Sequence, residues 1–276
     1  MRCDRPLLTL ALLMLPAPPA LAQGFLLTDA GRPMPAGTPL VLVVGTPGLL
    51  PDAYATLVGA LEAEGLDAWL VRFPLESQDP DEIVAVGIPA AREALLARGA
   101  GLPVALVGHG LGGTLAARAA LADPPTALAV LGAPLAPPSS ALVRWLVDLP
   151  VPQDGLDLAQ ATAATWNGLP ALPLLVGEPL PPLERVSAAW LHGLQAWARS
   201  GRAVDLGAAP FPVWAGTGLL DEVAPAEGVR PYLGETGFVR FGYLHLDLQA
   251  FDHAALLREE RPAAALARWV QARLRR

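Results

Sequence analysis

The stretch Leu106-Val107-Gly108-His109-Gly110-Leu111-Gly112-Gly113 decides how the rest of the chain is read. It follows an apolar run, Pro103 to Val107, with the character of a buried strand. It opens an alanine-rich stretch, Leu111 to Ala122, with the character of a helix. A strand that turns sharply into a helix lifts one residue above the end of the sheet, and small residues on either side let the backbone clear its neighbours. In the G-x-S-x-G pattern the raised residue is a serine. Here it is Gly110.

The same residues satisfy G-x-G-x-x-G through Gly108, Gly110 and Gly113, the signature of a dinucleotide-binding turn. That reading needs a carboxylate at the end of the following strand to hold the ribose. The following strand, Ala127 to Leu131, ends in Gly132-Ala133-Pro134. The motif also lies mid-chain, after two strand–helix units, so a dinucleotide-binding protein is the minor alternative.

Working outward, short apolar runs alternate with longer helical patterns. Pro39 to Val44, Ala68 to Phe73, Phe211 to Ala215 and Gly237 to Phe241 read as further strands. Asp52 to Gly65, Pro80 to Arg98 and Ala226 to Leu233 read as helices. Asp252 caps a closing helix that runs to Arg275 with a kink or break near Pro262. Near-continuous apolar strands separated by helices imply a mainly parallel sheet covered on both faces, an α/β fold. Residues 133–210 interrupt the rhythm. Within them Val186, Trp190, Leu194 and Trp197 fall on one helical face, and Trp145 and Trp166 add further apolar bulk. This insertion is expected to form a helical cap over the C-terminal edge of the sheet, or else a satellite hydrophobic cluster.

Composition narrows the chemistry. The chain has 276 residues, 53% of them apolar, enough for one compact domain over 23–276. Its net charge is −7 and all 19 basic residues are arginine, which excludes lysine-dependent chemistry such as a Schiff base or a Walker-A phosphate site. The acidic balance argues against nucleic acid as a partner. Four histidines scattered at 109, 192, 245 and 253 have no metal-ligand spacing, so no metal and no cofactor is expected.

At the N-terminus, Arg2 and Arg5 precede the apolar run Leu7 to Leu15, and Ala20-Leu21-Ala22 ends a Pro/Ala segment. That order is the signature of a secretory signal over residues 1–22, cleaved after Ala22, with periplasmic or secreted destination. The nine-residue run is too short to span a bilayer. Cys3, the one cysteine, lies before it, so the chain beyond Ala22 has no thiol chemistry.

Taken together, these segments resemble the α/β-hydrolase family, especially its lipase, esterase and thioesterase-like branch, from about Pro39 to the C-terminus outside the insertion. GHGLGG is similar to the family's GHSLGG with one substitution. The resemblance implies that Gly45-Thr46-Pro47-Gly48 is the glycine turn beside an oxyanion hole built from the amides of Thr46 and Leu111. Val44 stands where the family usually has a histidine. It implies also that Asp221, after the strand FPVWAG, is the orienting carboxylate. His245, in Tyr243-Leu244-His245-Leu246-Asp247, is then the base. Asp221 as a plain loop cap and His245 as a satisfied loop histidine stay open beside those roles. His109 reads as packing under the turn, and His192 and His253 as surface or packing residues. Ser139 and Ser140 are candidates for a displaced nucleophile.

With glycine at position 110 no acyl-enzyme forms there. The expectation is therefore an exported, catalytically degenerate hydrolase-fold protein that binds a small apolar or acyl ligand under the cap, or a protein partner. The alternative is a working ester or acyl hydrolase that uses His245 and Asp221 with water or a relocated serine.

Overall fold

The computed structural model describes residues 25–29, 35–99, 102–136, 150–158, 165–166, 169–170, 182–233, 237–241 and 251–275. The expected signal segment, Ser139, Ser140, Trp145 and His245 lie outside the described residues.

Five runs read as strands form the body of the sheet: β2 (Leu40–Val44), β3 (Asp67–Arg72), β4 (Val104–His109), β5 (Ala127–Leu131) and β10 (Val213–Gly218). They are joined by β11 (Gly237–Phe241) and by β1 (Leu26–Asp29), in the order β1-β3-β2-β4-β5-β10-β11. All neighbours are parallel except β1, which runs antiparallel to β3 at the edge. β1 was not legible in the sequence, because a four-residue edge strand that ends in Thr28-Asp29 leaves too short an apolar run to separate from its surroundings.

Side chains of a strand point alternately to the two faces, and both faces here are covered. Leu40, Leu42, Leu106, Leu128 and Val130 enter one core. It is shared with helices α2 (Ile88–Gly99) and α3 (Gly110–Ala122). Val41, Val43, Val107, Ala129 and Leu131 enter the other. That core is covered by α1 (Ala55–Ala63), by α6 (His253–Arg258) and by α7 (Glu260–Leu274). The expected helix at Pro80 to Arg98 forms as Pro80–Glu82, a wider π turn over Ile83–Gly87, and then α2. The expected helix from Ala226 is short: α5 spans Ala226–Val229 and tightens into a single 3-10 turn at Arg230–Tyr232.

Between β5 and β10 the chain adds nothing to the large sheet among the described residues. It contains the short antiparallel pairs β6 (Leu156–Asp157) with β9 (Arg185–Val186) and β7 (Thr165–Trp166) with β8 (Leu169–Pro170), followed by α4 (Ala188–Ser200). Ser187 caps α4 by accepting from the Trp190 amide, and Trp190, Leu191 and Leu194 are buried. Val186, placed on this helix by its spacing, lies in β9 instead. His192 is exposed, as expected. Part of the insertion is bolted to the loop after β2. The Glu184 amide donates to Gly48 O at 2.9 Å, and the Glu184 carboxylate pairs with Arg72 at 2.6 Å.

Strand order reverses at β2, with β3 on one side of it and β4 on the other. A crevice opens at the carboxyl ends of strands where their order reverses, and ligands of open α/β sheets bind there. The loops after β2 and β4 flank that point.

Candidate functional site

The site is built at the end of β4. His109 is the last strand residue, extended at φ −118°, ψ 145°, and Gly110 is the first residue of α3 with φ +56°. No residue intervenes, so the strand turns into the helix at Gly110 itself. A positive φ costs a residue with a side chain roughly 1–3 kcal/mol, and glycine carries none of that strain. The flanking glycines answer to space. A Cβ on Gly108 would lie 2.6 Å from Gly113 Cα, and one on Gly112 would lie 2.5 Å from Val44 O. The turn is therefore pressed against both itself and the end of β2.

The first amides of a helix have no intrahelical acceptor, and His109 makes no side-chain cap. Thr46, from the loop after β2, takes that role. Its hydroxyl accepts from the Gly112 amide at 2.8 Å and donates to His109 O at 2.8 Å. One threonine thus ties the loop after β2 to the turn after β4. Leu111, second in α3, is buried, and its amide lies at the same helix start.

Asp221 sits in the turn after β10 and is buried. Its Oδ1 accepts from the amides of Val223 at 3.0 Å and Ala224 at 2.9 Å. The carboxylate also faces an imidazole: His253 Nδ1 lies 3.1 Å from Oδ1 and 3.2 Å from Oδ2. Sequence reasoning placed His245 beside Asp221. His245 is outside the described residues, and the described partner is His253, a residue that the sequence alone places at the surface or in packing. His253 is buried at 6% exposure. Two bonds hold it there. Asp252 Oδ1 caps α6 by accepting from Ala255 N at 2.7 Å, and Phe251 O accepts from Leu220 N at 3.0 Å, stapling the acid turn to the start of α6. The cap signal at Asp252 was legible. That the first helical residue after it would face the acid was not.

With Nδ1–H turned to the carboxylate, Nε2 presents its lone pair on the opposite side of the ring. That side faces Gly110. A Cβ added to Gly110 would lie 3.0 Å from His253 Nε2 and 3.7 Å from Thr46 Oγ1. Position 110, His253 and Asp221 are therefore in line, in the arrangement of a nucleophile, base and orienting acid. Gly132, at the end of β5 with φ +59°, leaves the room the pair needs. A Cβ there would stand 3.0 Å from both Asp221 Oδ2 and His253 Nδ1.

His109 lies beneath the tip, as expected. Odd-numbered residues of β4 face the core that α6 covers, so its ring meets that of His253, with centroids 4.4 Å apart. His109 Nε2 lies 3.2 Å from His253 O, which fixes the proton on Nε2. Burial and the neighbouring His253 ring hold its pKa well below the usual 6.5. The Thr46 amide, expected beside an oxyanion, donates instead to Tyr54 Oη at 2.7 Å. Tyr54 is a partner that sequence reasoning did not single out. Among the described residues, no group of three or more His, Cys, Asp or Glu is placed to hold a metal ion.

No protein-family model matches the chain, and no curated protein matches its sequence. Solved structures do. The monoacylglycerol lipase of Paleococcus ferrophilus is 19% identical with a TM-score of 0.55, over 90% of this chain and 99% of that one. Est1E of Butyrivibrio proteoclasticus, with ferulic acid bound, is 16% identical with a TM-score of 0.60, over 91% and 95%. A thermophilic esterase from Thermogutta terrifontis is 15% identical with a TM-score of 0.58, over 90% and 93%. Likeness at this identity speaks for architecture, and it agrees with the mainly parallel seven-stranded sheet. The chain has the α/β-hydrolase fold of these esterases and lipases.

Proposed function

We propose that this protein is an exported, catalytically degenerate member of the hydrolase architecture that retains its crevice to bind a small acyl or apolar ligand, or a protein partner. One observation carries the reading. A buried His253–Asp221 pair is aimed at a tip residue, Gly110, that has no side chain. The imidazole of such a pair takes a proton from the nucleophile, and here there is no hydroxyl to supply it. Removing the nucleophile of a serine protease lowers turnover by about 10⁶. What remains over water, roughly 10³–10⁴, comes from oxyanion contacts and binding.

The persistence of the pair favours a second reading, in which His253 activates water directly on an ester. The dinucleotide reading fares worse. The Gly112 amide, which a pyrophosphate-binding turn needs, is bonded to Thr46, and His253 stands over the tip.

A single preparation tests function and export together. The protein recovered from the exported fraction should have an intact mass beginning at Gln23. Its turnover of a short-chain nitrophenyl ester should not exceed that of His253→Ala. A retained N-terminal segment would contradict the export reading. A wild-type rate lowered a hundredfold or more by His253→Ala would reject degeneracy in favour of activated water.

A further inference from the structure

Position 110 is one departure from a working hydrolase site; the Thr46 amide is a second. An N–H donates one strong hydrogen bond. The Thr46 N–H, the donor that would hold an ester carbonyl oxygen as it becomes an oxyanion, already has an acceptor in Tyr54 Oη at 2.7 Å. Tyr54 is 1% exposed and closes the 3-10 turn Pro51–Tyr54 that leads into α1, against the core shared with α6. Burial raises the pKa of its phenol, so the hydroxyl is neutral and keeps its lone pairs for the amide. The rest of the Thr46 group is committed as well, since its hydroxyl is shared between His109 O and the Gly112 amide.

We propose that Tyr54 is a plug: its phenolic oxygen occupies the place on the Thr46 amide that a substrate's carbonyl oxygen would take. The inference rests on the degenerate-hydrolase reading and adds to it. Tyr54 acts through Thr46 and is a positioning residue. A serine restored at position 110 would meet an electrophile held by the Leu111 amide alone.

The test compares Gly110→Ser with Gly110→Ser/Tyr54→Phe, using a fluorophosphonate probe. In this reaction the hydroxyl oxygen of the introduced serine forms a bond to phosphorus, fluoride leaves with the phosphorus–fluorine electron pair, and the serine proton passes to His253. An oxyanion donor of this type is worth about 10²–10³ in rate, so removing the competing phenol should speed labelling at least about tenfold. A tyrosine with only a structural role would lower the melting temperature and leave the rate unchanged or lower. Tyr54→Met, which keeps apolar bulk without a hydroxyl, serves as a second variant if the phenylalanine variant folds poorly. Re-protection of the Thr46 amide against hydrogen exchange once the double variant is phosphonylated would support the plug directly. Labelling of Gly110→Ser with no gain from either Tyr54 replacement overturns the plug alone. Folded variants that never label overturn both the plug and the placement of the triad.

Discussion

At the scale of single residues, the informative group is His109. It was legible as a packing histidine because it precedes the turn and shares the buried face of β4, and it is 2% exposed. What the sequence did not disclose is that its ring lies against that of His253 and donates to the His253 carbonyl. Charging it would place an imidazolium in the core beside His253, so its pKa is well below 6.5 in the folded protein and ordinary in the unfolded chain. Below about pH 6.5 the unfolded state therefore binds more protons than the folded one, and stability falls as pH drops. The loss approaches about 1.4 kcal/mol per pH unit while His109 is neutral folded and charged unfolded. Urea midpoints measured between about pH 5 and 7 should show this slope, and His109→Gln, which keeps a donor for His253 O, should flatten it. An unchanged slope would mean that His109 carries no such burden. Asp221 was singled out only through the resemblance of its loop to the acid loop of the hydrolases; by itself it reads as a loop cap. His253 was not singled out, since a histidine at the start of a capped helix reads equally well as packing.

At the scale of elements, strands were read more accurately than helix ends. β2, β3, β4 and β5 lie within two residues of the apolar runs that announced them, because burial on both faces leaves a continuous signal. Helical segments were found and their interiors were not. The π turn at Ile83–Gly87 leaves no mark on helical periodicity, and the break in the closing helix falls at Glu259, with ψ 140°, three residues before Pro262. Pro262 then sits in the first turn of α7, where its missing N–H costs no helical bond. α6 is six residues long and depends on its cap. Asp252→Ala removes the acceptor of the Ala255 amide, and should lower stability by about 1 kcal/mol. In a Gly110→Ser background it should also slow phosphonate labelling, because it loosens the residue that carries the base. A variant with the full loss of stability and an unaltered labelling rate would show that the staple between Phe251 O and Leu220 N positions His253 without the cap.

At the scale of the whole molecule, the sheet and its reversal of strand order do most of the positioning. The order β3-β2-β4 brings the loop carrying Thr46 against the turn carrying Gly110. The parallel pair β5 and β10 brings Gly132 beside the Asp221 turn, and α6 supplies His253 from the face opposite α3. Two of the three expected loops, those of Gly110 and Asp221, meet here; the third, Tyr243 to Asp247, lies outside the described residues, and the imidazole comes from α6 instead. The actual pairing depended on long-range packing: residues 221 and 253 meet across the sheet's end, and residues 46 and 112 lie on separate elements. The central claim is that a serine-type assembly stands complete but for one hydroxyl. The direct measurement is mass spectrometry of Gly110→Ser after prolonged exposure to a fluorophosphonate. The account predicts a single adduct on the peptide containing position 110, absent from the wild type and from Gly110→Ser/His253→Ala. A labelled wild type, or a folded Gly110→Ser protein that stays unmodified or labels equally well without His253, would contradict it.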